Sequence, residues 1–192
     1  LLVRAGRETD SGKLRSQRAS RPRQEFVRMN SMIRLVTVSD AAHIAAIYNH
    51  YVATTTVTFE EKEVGVDEMA QRIRDVGARL PWYVFEREGA VIGYAYAAPW
   101  RVRSAYRFSV ESTVYVARDF PRQGIGRRLY QALIEDLRAR DIHVVLGGIA
   151  QPNPASVSLH ESLGFEKVAH FKSVGRKFGK WLDVGYWELQ LG

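Results

Sequence analysis

A single carboxylate, Glu111, opens the run Glu111-Ser112-Thr113-Val114-Tyr115-Val116, and a short loop then leads into Gly124-Ile125-Gly126-Arg127-Arg128. A carboxylate at the start of a strand can serve as a general base for a proton-bearing group held beside it. The glycines point to different chemistry. Helical spacing begins at Ile125 and continues through Leu129, Ala132, Leu133 and Leu137, so the loop presents several N–H groups at the positive end of a helix dipole. Such an end binds anions, most naturally a phosphate. Gly124 and Gly126 let the backbone come close to it, and Arg122, Arg127 and Arg128 surround it with positive charge. Neither feature is specific alone: Glu111 also reads as a solvated strand-end carboxylate, and Gly-x-Gly as a tight turn. The loop is not a P-loop, because Arg127-Arg128 follows the second Gly, nor a dinucleotide fingerprint, because position 129 is Leu.

The elements that must hold these residues follow from periodicity. Glu111–Val116 reads as a strand and Gly124 to about Arg140 as a long helix. Upstream, 33–38 reads as a strand, Ser39 as the cap of a helix through Ile44, Ile47, Tyr48 and Tyr51, and 54–59 as extended. A helix over 67–78 precedes strands at 82–87 and 90–98, joined by the hairpin turn Glu88-Gly89. Downstream, Val144–Ile149 reads as a buried strand parallel to the Glu111 strand. Asn153-Pro154 starts a helix that stops at Gly164, and strands at 165–173 and 186–191 close the chain around a Gly-rich segment, 175–185. The order is β-α-α-β-β-β-α-β-α-β-β, an α/β mixed-sheet domain over residues 32–192.

With 46% hydrophobic residues and no apolar run near the ~18 residues of a membrane span, the chain reads as globular and without a membrane partner. It has no cysteine, which removes disulfides, thiol nucleophiles and thiolate metal sites and suits a cytoplasmic location; the five histidines have no metal-ligand spacing, so no metal is expected. The net charge of +7 is local. Residues 1–31 hold eight basic and three acidic residues, leaving +2 for the rest. This stretch has no periodic apolar face and is expected to be a disordered extension, with Met32 as the natural start favoured over a transit peptide. Its lack of interleaved aromatics argues against a nucleic-acid partner.

Glu111 to Gln131 as a whole resembles motif A of the GNAT superfamily of acetyl-CoA-dependent N-acetyltransferases, where Gln/Arg-x-x-Gly-x-Gly/Ala cradles the CoA pyrophosphate. The match lies at Gly124 and Gly126; Pro121, which has no N–H to give, stands where Gln or Arg is usual. Further stretches at 47–61 (IYNHYVATTTVTFEE), 99–116 (PWRVRSAYRFSVESTVYV), 153–165 (NPASVSLHESLGF) and 174–187 (VGRKFGKWLDVGYW) resemble the phosphinothricin and methionine sulfoximine/sulfone acetyltransferases, so the likeness spans about 33–191. It implies the GNAT fold and acetylation of the α-amine of a small amino-acid-like compound, with Glu111 as base, directly or through water. It also implies an acetyl-CoA site at Val114, Tyr115, Val116, Arg122, Gln123, Gly124, Ile125, Gly126, Arg127, Asn153 and Ser156, the N–H groups of 114–116 steadying the oxyanion if the strand is distorted as in the family. His160 stands where many relatives carry the Tyr of Tyr-x-x-x-Gly-Phe, and reads as proton donor to the departing thiolate, as a CoA contact, or as structural. The substrate loop is Arg101, Val102 and Arg103 with Tyr106 nearby, Ser112 and Thr113 follow on the strand, and Phe59 forms an apolar wall. The branch resembles a homodimer, in which Lys177–Trp181 would complete the site of a second subunit; without the resemblance that segment reads as a glycine-rich hairpin.

Overall fold

The computed structural model describes residues 31–192. The expected extension lies outside them, apart from Ser31, which opens the first strand. Seven strands form one sheet: β1 (Ser31–Leu35), β2 (Trp82–Arg87), β3 (Ala90–Pro99), β4 (Ser109–Val116), β5 (Val144–Gln151), β6 (Glu166–Lys177) and β7 (Lys180–Gln190), in the order β1-β2-β3-β4-β5-β7-β6. With α1 (Ala41–Thr54), α2 (Val66–Gly77), α3 (Ile125–Ala139) and α4 (Pro154–Glu161), the element order is the one the periodicity predicts.

Alternation along the strands feeds two cores, one on each face of the sheet. On one face Leu129, Leu133 and Leu137 of α3 are fully buried against Phe85, Ala97, Val110 and Val145. On the other, Ile44 and Ile47 of α1 and Met69 and Ile73 of α2 pack on Trp82, Val84 and Tyr94. Truncating one of the α3 leucines to Ala costs about 2–5 kcal/mol. The same leucines fix where the N-terminus of α3 points.

The feature that shapes the site is the pairing of β4 with β5, the sheet's parallel pair. It joins only Ser109, Val110 and Glu111 to Val144, Val145 and Leu146, after which the strands part. β4 meanwhile stays in register with β3 over its whole length, from Pro99↔Val110 to Gly93↔Val116, with no bulge. The opening therefore comes from the departure of β5 and not from a distortion of β4.

Three boundaries differ from the sequence reading. β1 ends at Leu35, and Ser39 is not a helix cap: Asp40 accepts from the Thr37 N–H (2.8 Å) and from Arg34 (2.8 Å), turning Val38–Asp40 into a short 3-10 helix. Thr54 closes α1 instead of starting a strand, because the Thr54 and Thr55 hydroxyls bond back to the carbonyls of His50 and Tyr51. The Gly-rich 175–185 segment is not a connection; Gly175 and Gly185 lie inside two long strands that meet at the left-handed pair Phe178-Gly179 (φ 48° and 74°).

Candidate active site

Where β5 leaves, β4 keeps an unpaired edge. The Phe108 carbonyl accepts from His143 and Val144 on the β5 side, whereas the Ser109 carbonyl and the Ala117 N–H bond on the β3 side. Strand alternation then turns the N–H groups of Ser112, Val114 and Val116 toward the gap and that of Tyr115 toward β3. These residues line a cavity of about 310 Å³ with Gly126 and Tyr130 of α3, Gly148–Ala150 of β5, and Asn153, Ser156 and His160. Asn153 caps α4 by accepting from the Ser156 N–H at 3.2 Å.

The N-terminus of α3 stands at the end of this cavity. Gly124, its cap, has φ 72°, a left-handed conformation that a side chain enters only with strain, and no side chain of the described residues caps the helix. A Cβ on Gly126 would sit 3.3 Å from Leu159, so this glycine serves close packing instead. Gln123 accepts from Arg87 at 2.9 Å and Arg127 donates to the Ser162 hydroxyl at 3.1 Å, while Arg122 is exposed at φ 57°. Ile125 is a core residue at 2% exposure, present in the site through its backbone alone.

On the other side of the gap lies a cavity of about 720 Å³ containing Glu111. Burial pushes the Glu111 carboxyl above its ordinary value, and the charge of Arg101 pulls the other way. The carboxylate reaches the bare α-carbon of Gly148: a Cβ there would stand 2.8 Å from Oε1. Arg101 lines this cavity with Phe59 and Thr113, its guanidinium 4.1 Å from the Trp100 ring centroid. Val102, Arg103 and Tyr106 do not line it; they are exposed on the β3–β4 loop, so of the expected substrate loop only Arg101 comes to the site. Ser112 faces the smaller cavity, its hydroxyl donating to the Leu146 carbonyl at 3.2 Å.

Much of the larger cavity's aromatic wall was not singled out from sequence; Tyr115 was expected in the acetyl-CoA site and Tyr48 only on the inner face of a helix. Tyr48, Tyr96, Trp100, Tyr115, Phe171 and Tyr186 supply this wall from α1, β3, the β3–β4 loop, β4, β6 and β7. Burial raises the phenols of Tyr48, Tyr96, Tyr115 and Tyr186, which therefore act as neutral hydrogen-bonding groups. Except for Tyr96 and Phe171, these residues lie inside the stretches that carry the family resemblance or in the Glu111 strand, the one signal that could have found them.

His160 is buried (3% exposed) between Tyr130 and Phe165. Its Nδ1 lies 2.7 Å from the Ser156 carbonyl, which only an N–H can satisfy, so the neutral ring accepts at Nε2, 3.1 Å from the Tyr130 hydroxyl. Burial lowers its pKa against the raising effect of that carbonyl. So held, the ring has no Nε2 proton to donate. Lys177, expected to face a second subunit, is buried in its own chain, while Phe178 and Trp181 remain exposed.

The sheet is thus split between two parallel strands, with a helix N-terminus on one side of the split and the half-buried Glu111 carboxylate on the other. Residues 33–185 match the acetyltransferase (GNAT) domain, and the chain belongs to this family of N-acetyltransferases. It is 41% identical to the phosphinothricin N-acetyltransferase of Streptomyces viridochromogenes, over 81% of this chain and 85% of that one. It is 38% identical to the L-methionine sulfoximine/L-methionine sulfone acetyltransferase of Salmonella typhimurium, over 83% and 94%. Among solved structures, a phosphinothricin acetyltransferase from Sinorhizobium meliloti in complex with acetyl-CoA superposes with a TM-score of 0.82 at 36% identity, covering 85% of this chain and 90% of that one.

Proposed function

We propose that the enzyme transfers the acetyl group of acetyl-CoA to the free α-amino group of a small amino-acid-like compound of the phosphinothricin, methionine sulfoximine or methionine sulfone type, with Glu111 as general base. The observation that carries this reading is a shared wall. Val57, Thr113, Tyr115, Gly148 and Ala150 line both cavities, so a thioester entering from the smaller one meets an amine held in the larger. Acetyl-CoA fits the residues on the smaller side: the open end of α3 and Arg122 and Arg127 suit its pyrophosphate, and the β4 edge offers N–H groups to its pantetheine arm.

In the larger cavity Arg101 is the cation suited to the acceptor's carboxylate or phosphinate. Glu111 takes the ammonium proton, and its raised pKa brings it nearer that of the amine than an exposed carboxylate would be. The freed amine attacks the thioester carbonyl, and the N–H groups of Val114 and Val116 stand on the side where the oxyanion forms; its collapse breaks the C–S bond, and the CoA thiolate leaves as it takes the further proton that the acylated nitrogen sheds. His160 holds Tyr130 and Ser156 in place and gives no proton in this scheme. The reading extends to a cytoplasmic homodimer, supported by the exposed Phe171, Val174, Phe178 and Trp181 on the β6–β7 hairpin.

The test is thiol release from acetyl-CoA by the full chain, comparing kcat/KM for phosphinothricin, methionine sulfoximine and methionine sulfone with that for peptides bearing a free N-terminal amine. Turnover of the amino-acid analogues at higher kcat/KM is expected. Turnover of peptides alone would overturn the substrate class.

A further inference from the structure

Residues 55–63, between α1 and α2, form no helix or strand, yet they supply Val57, Thr58 and Phe59 to the cavity of Glu111. A segment of this kind keeps its place only through contacts with rigid elements. Two such contacts come from the far end of the chain. Lys177, the last residue of β6, is 1% exposed, and its Nζ donates to the Thr58 carbonyl at 2.8 Å. Two residues earlier on the same strand, Gly175 lies against Phe59 so closely that a Cβ would stand 2.1 Å from the ring's Cε2. Residues two apart on a strand share a face, so β6 offers the loop one bare α-carbon and one ammonium side by side.

The constraint passes further. The Thr58 hydroxyl is 2.8 Å from that of Tyr48, and Tyr48 packs edge-on against Tyr115 with ring centroids 5.3 Å apart. Both tyrosines line the cavity. A buried ammonium is costly where an apolar side chain of the same length would fill the space. Burial pulls the Lys177 pKa down while Glu61 and Glu60 favour the charge. What distinguishes lysine here is the hydrogen bond it makes to a loop that nothing else on β6 can hold by its main chain.

We propose that Lys177 is a positioning residue for the acceptor: with Gly175 it clamps the 55–63 loop onto the β6–β7 hairpin and so sets the wall formed by Thr58, Phe59 and Tyr48. The proposal rests on the larger cavity being the acceptor site. Of the loop residues only Val57 lines the smaller cavity, so the clamp governs the acceptor and not acetyl-CoA.

Lys177→Met removes the donor at nearly constant volume, and Gly175→Ala displaces Phe59 without touching Lys177. Both are assayed as full chains with the acceptor turned over fastest in the screen above, reading acceptor KM, acetyl-CoA KM, kcat and melting temperature, alongside Arg101→Gln. In the folded variants the acceptor KM should rise about tenfold with acetyl-CoA KM unchanged, a split that loss of stability alone does not produce. An unchanged acceptor KM in Lys177→Met, with Arg101→Gln raised, overturns the role of Lys177 and leaves the acceptor site standing. If Arg101→Gln is also unchanged, the acceptor-site reading falls and the proposal with it. Should Lys177→Met not fold, Gly175→Ala decides: a normal acceptor KM there overturns the clamp.

Discussion

The smaller cavity is lined by the free edge of β4, the start of α3, Gly148–Ala150 and α4, with many small residues beside Tyr51, Tyr115, Tyr130 and His160. The larger one is walled by aromatic side chains gathered from seven parts of the chain, with one carboxylate and one guanidinium among them. β4 serves both. Glu111 belongs to the larger, Ser112, Val114 and Val116 to the smaller, and Thr113 and Tyr115 to the two together. The difference teaches a division of labour. Donors that belong to the backbone are lost only to proline and suit a ligand that never changes, whereas a wall of side chains can be reshaped one residue at a time to suit a new acceptor. Substitutions on the two sides should accordingly separate in kcat, acceptor KM and acetyl-CoA KM.

The largest effect should come from Glu111. Glu111→Gln is expected to lower kcat by ~10²–10⁴ at neutral pH with acetyl-CoA KM unchanged, the loss shrinking as pH approaches the amine's own pKa. Stability should move the other way. Because burial raises its pKa, Glu111 binds its proton more tightly folded than unfolded, so its contribution is fully present below the ordinary Glu value and is lost as pH rises through the raised one. At pH 7 the ionised group is a cost, and the Gln variant should melt no lower than the parent. A lower melting temperature with a pH-independent loss of kcat would assign Glu111 to structure.

Gly148→Ala probes the same carboxylate without changing it. The new methyl meets Oε1, the end of a flexible side chain, and stands 3.2 Å from the Tyr186 ring, which must give slightly, so the fold should survive while kcat falls by roughly 10–100-fold through misplacement of the carboxylate. Unchanged kcat would show that the position of Glu111 is not demanding. On the other side of the gap, Gly124→Val forces a β-branched residue to φ 72° and should raise acetyl-CoA KM by about tenfold while sparing acceptor KM. Arg127→Ala should do less, since it removes one screened charge. A shift of acceptor KM in Gly124→Val would erase the separation between the cavities.

The smallest kinetic effect is expected at His160. His160→Asn should change kcat by less than the ~10²-fold typical of a lost general acid, while lowering the melting temperature through the buried bonds it breaks. The parent's depressed His160 pKa makes the unfolded chain the better proton acceptor, so that part of its stability is present above the ordinary His value and is lost as pH falls through the depressed one. The variant should lack this acid-side loss. A 10²-fold drop in kcat with an unchanged melting curve would restore His160 as the proton donor.

What could be read from the chain divides along the same line as the cavities. The anion loop is contiguous, so Gly124, Gly126 and the following helix were legible from local spacing, and Glu111 was legible beside them. Asn153 could be placed as a cap because Pro154 follows it. The aromatic wall was not legible, since Tyr96, Trp100 and Tyr186 join it only after the sheet forms and no local period marks them, while the helical period that places Tyr48 reads it as core. Exposure misled in the β3–β4 loop, where two arginines two positions apart looked equivalent and only Arg101 turns inward. Glycine misled most. Gly175 and Gly185 look like chain breakers, but in β6 and β7 they are places where the Phe59 and Trp187 rings come too close for a Cβ.

The strand order β5-β7-β6 has a consequence for assembly. β6 is made before β7 yet has no place in the sheet until β7 lies between it and β5. During synthesis the hairpin therefore cannot add to the sheet edge until β7, through Gln190, has been made. Thr58 and Lys177 lie 119 residues apart, a contact whose loop-closure entropy is met late. The larger cavity is thus closed only once β7 is in place, and a chain lacking that strand would hold the glycine loop in sequence without ever enclosing that cavity.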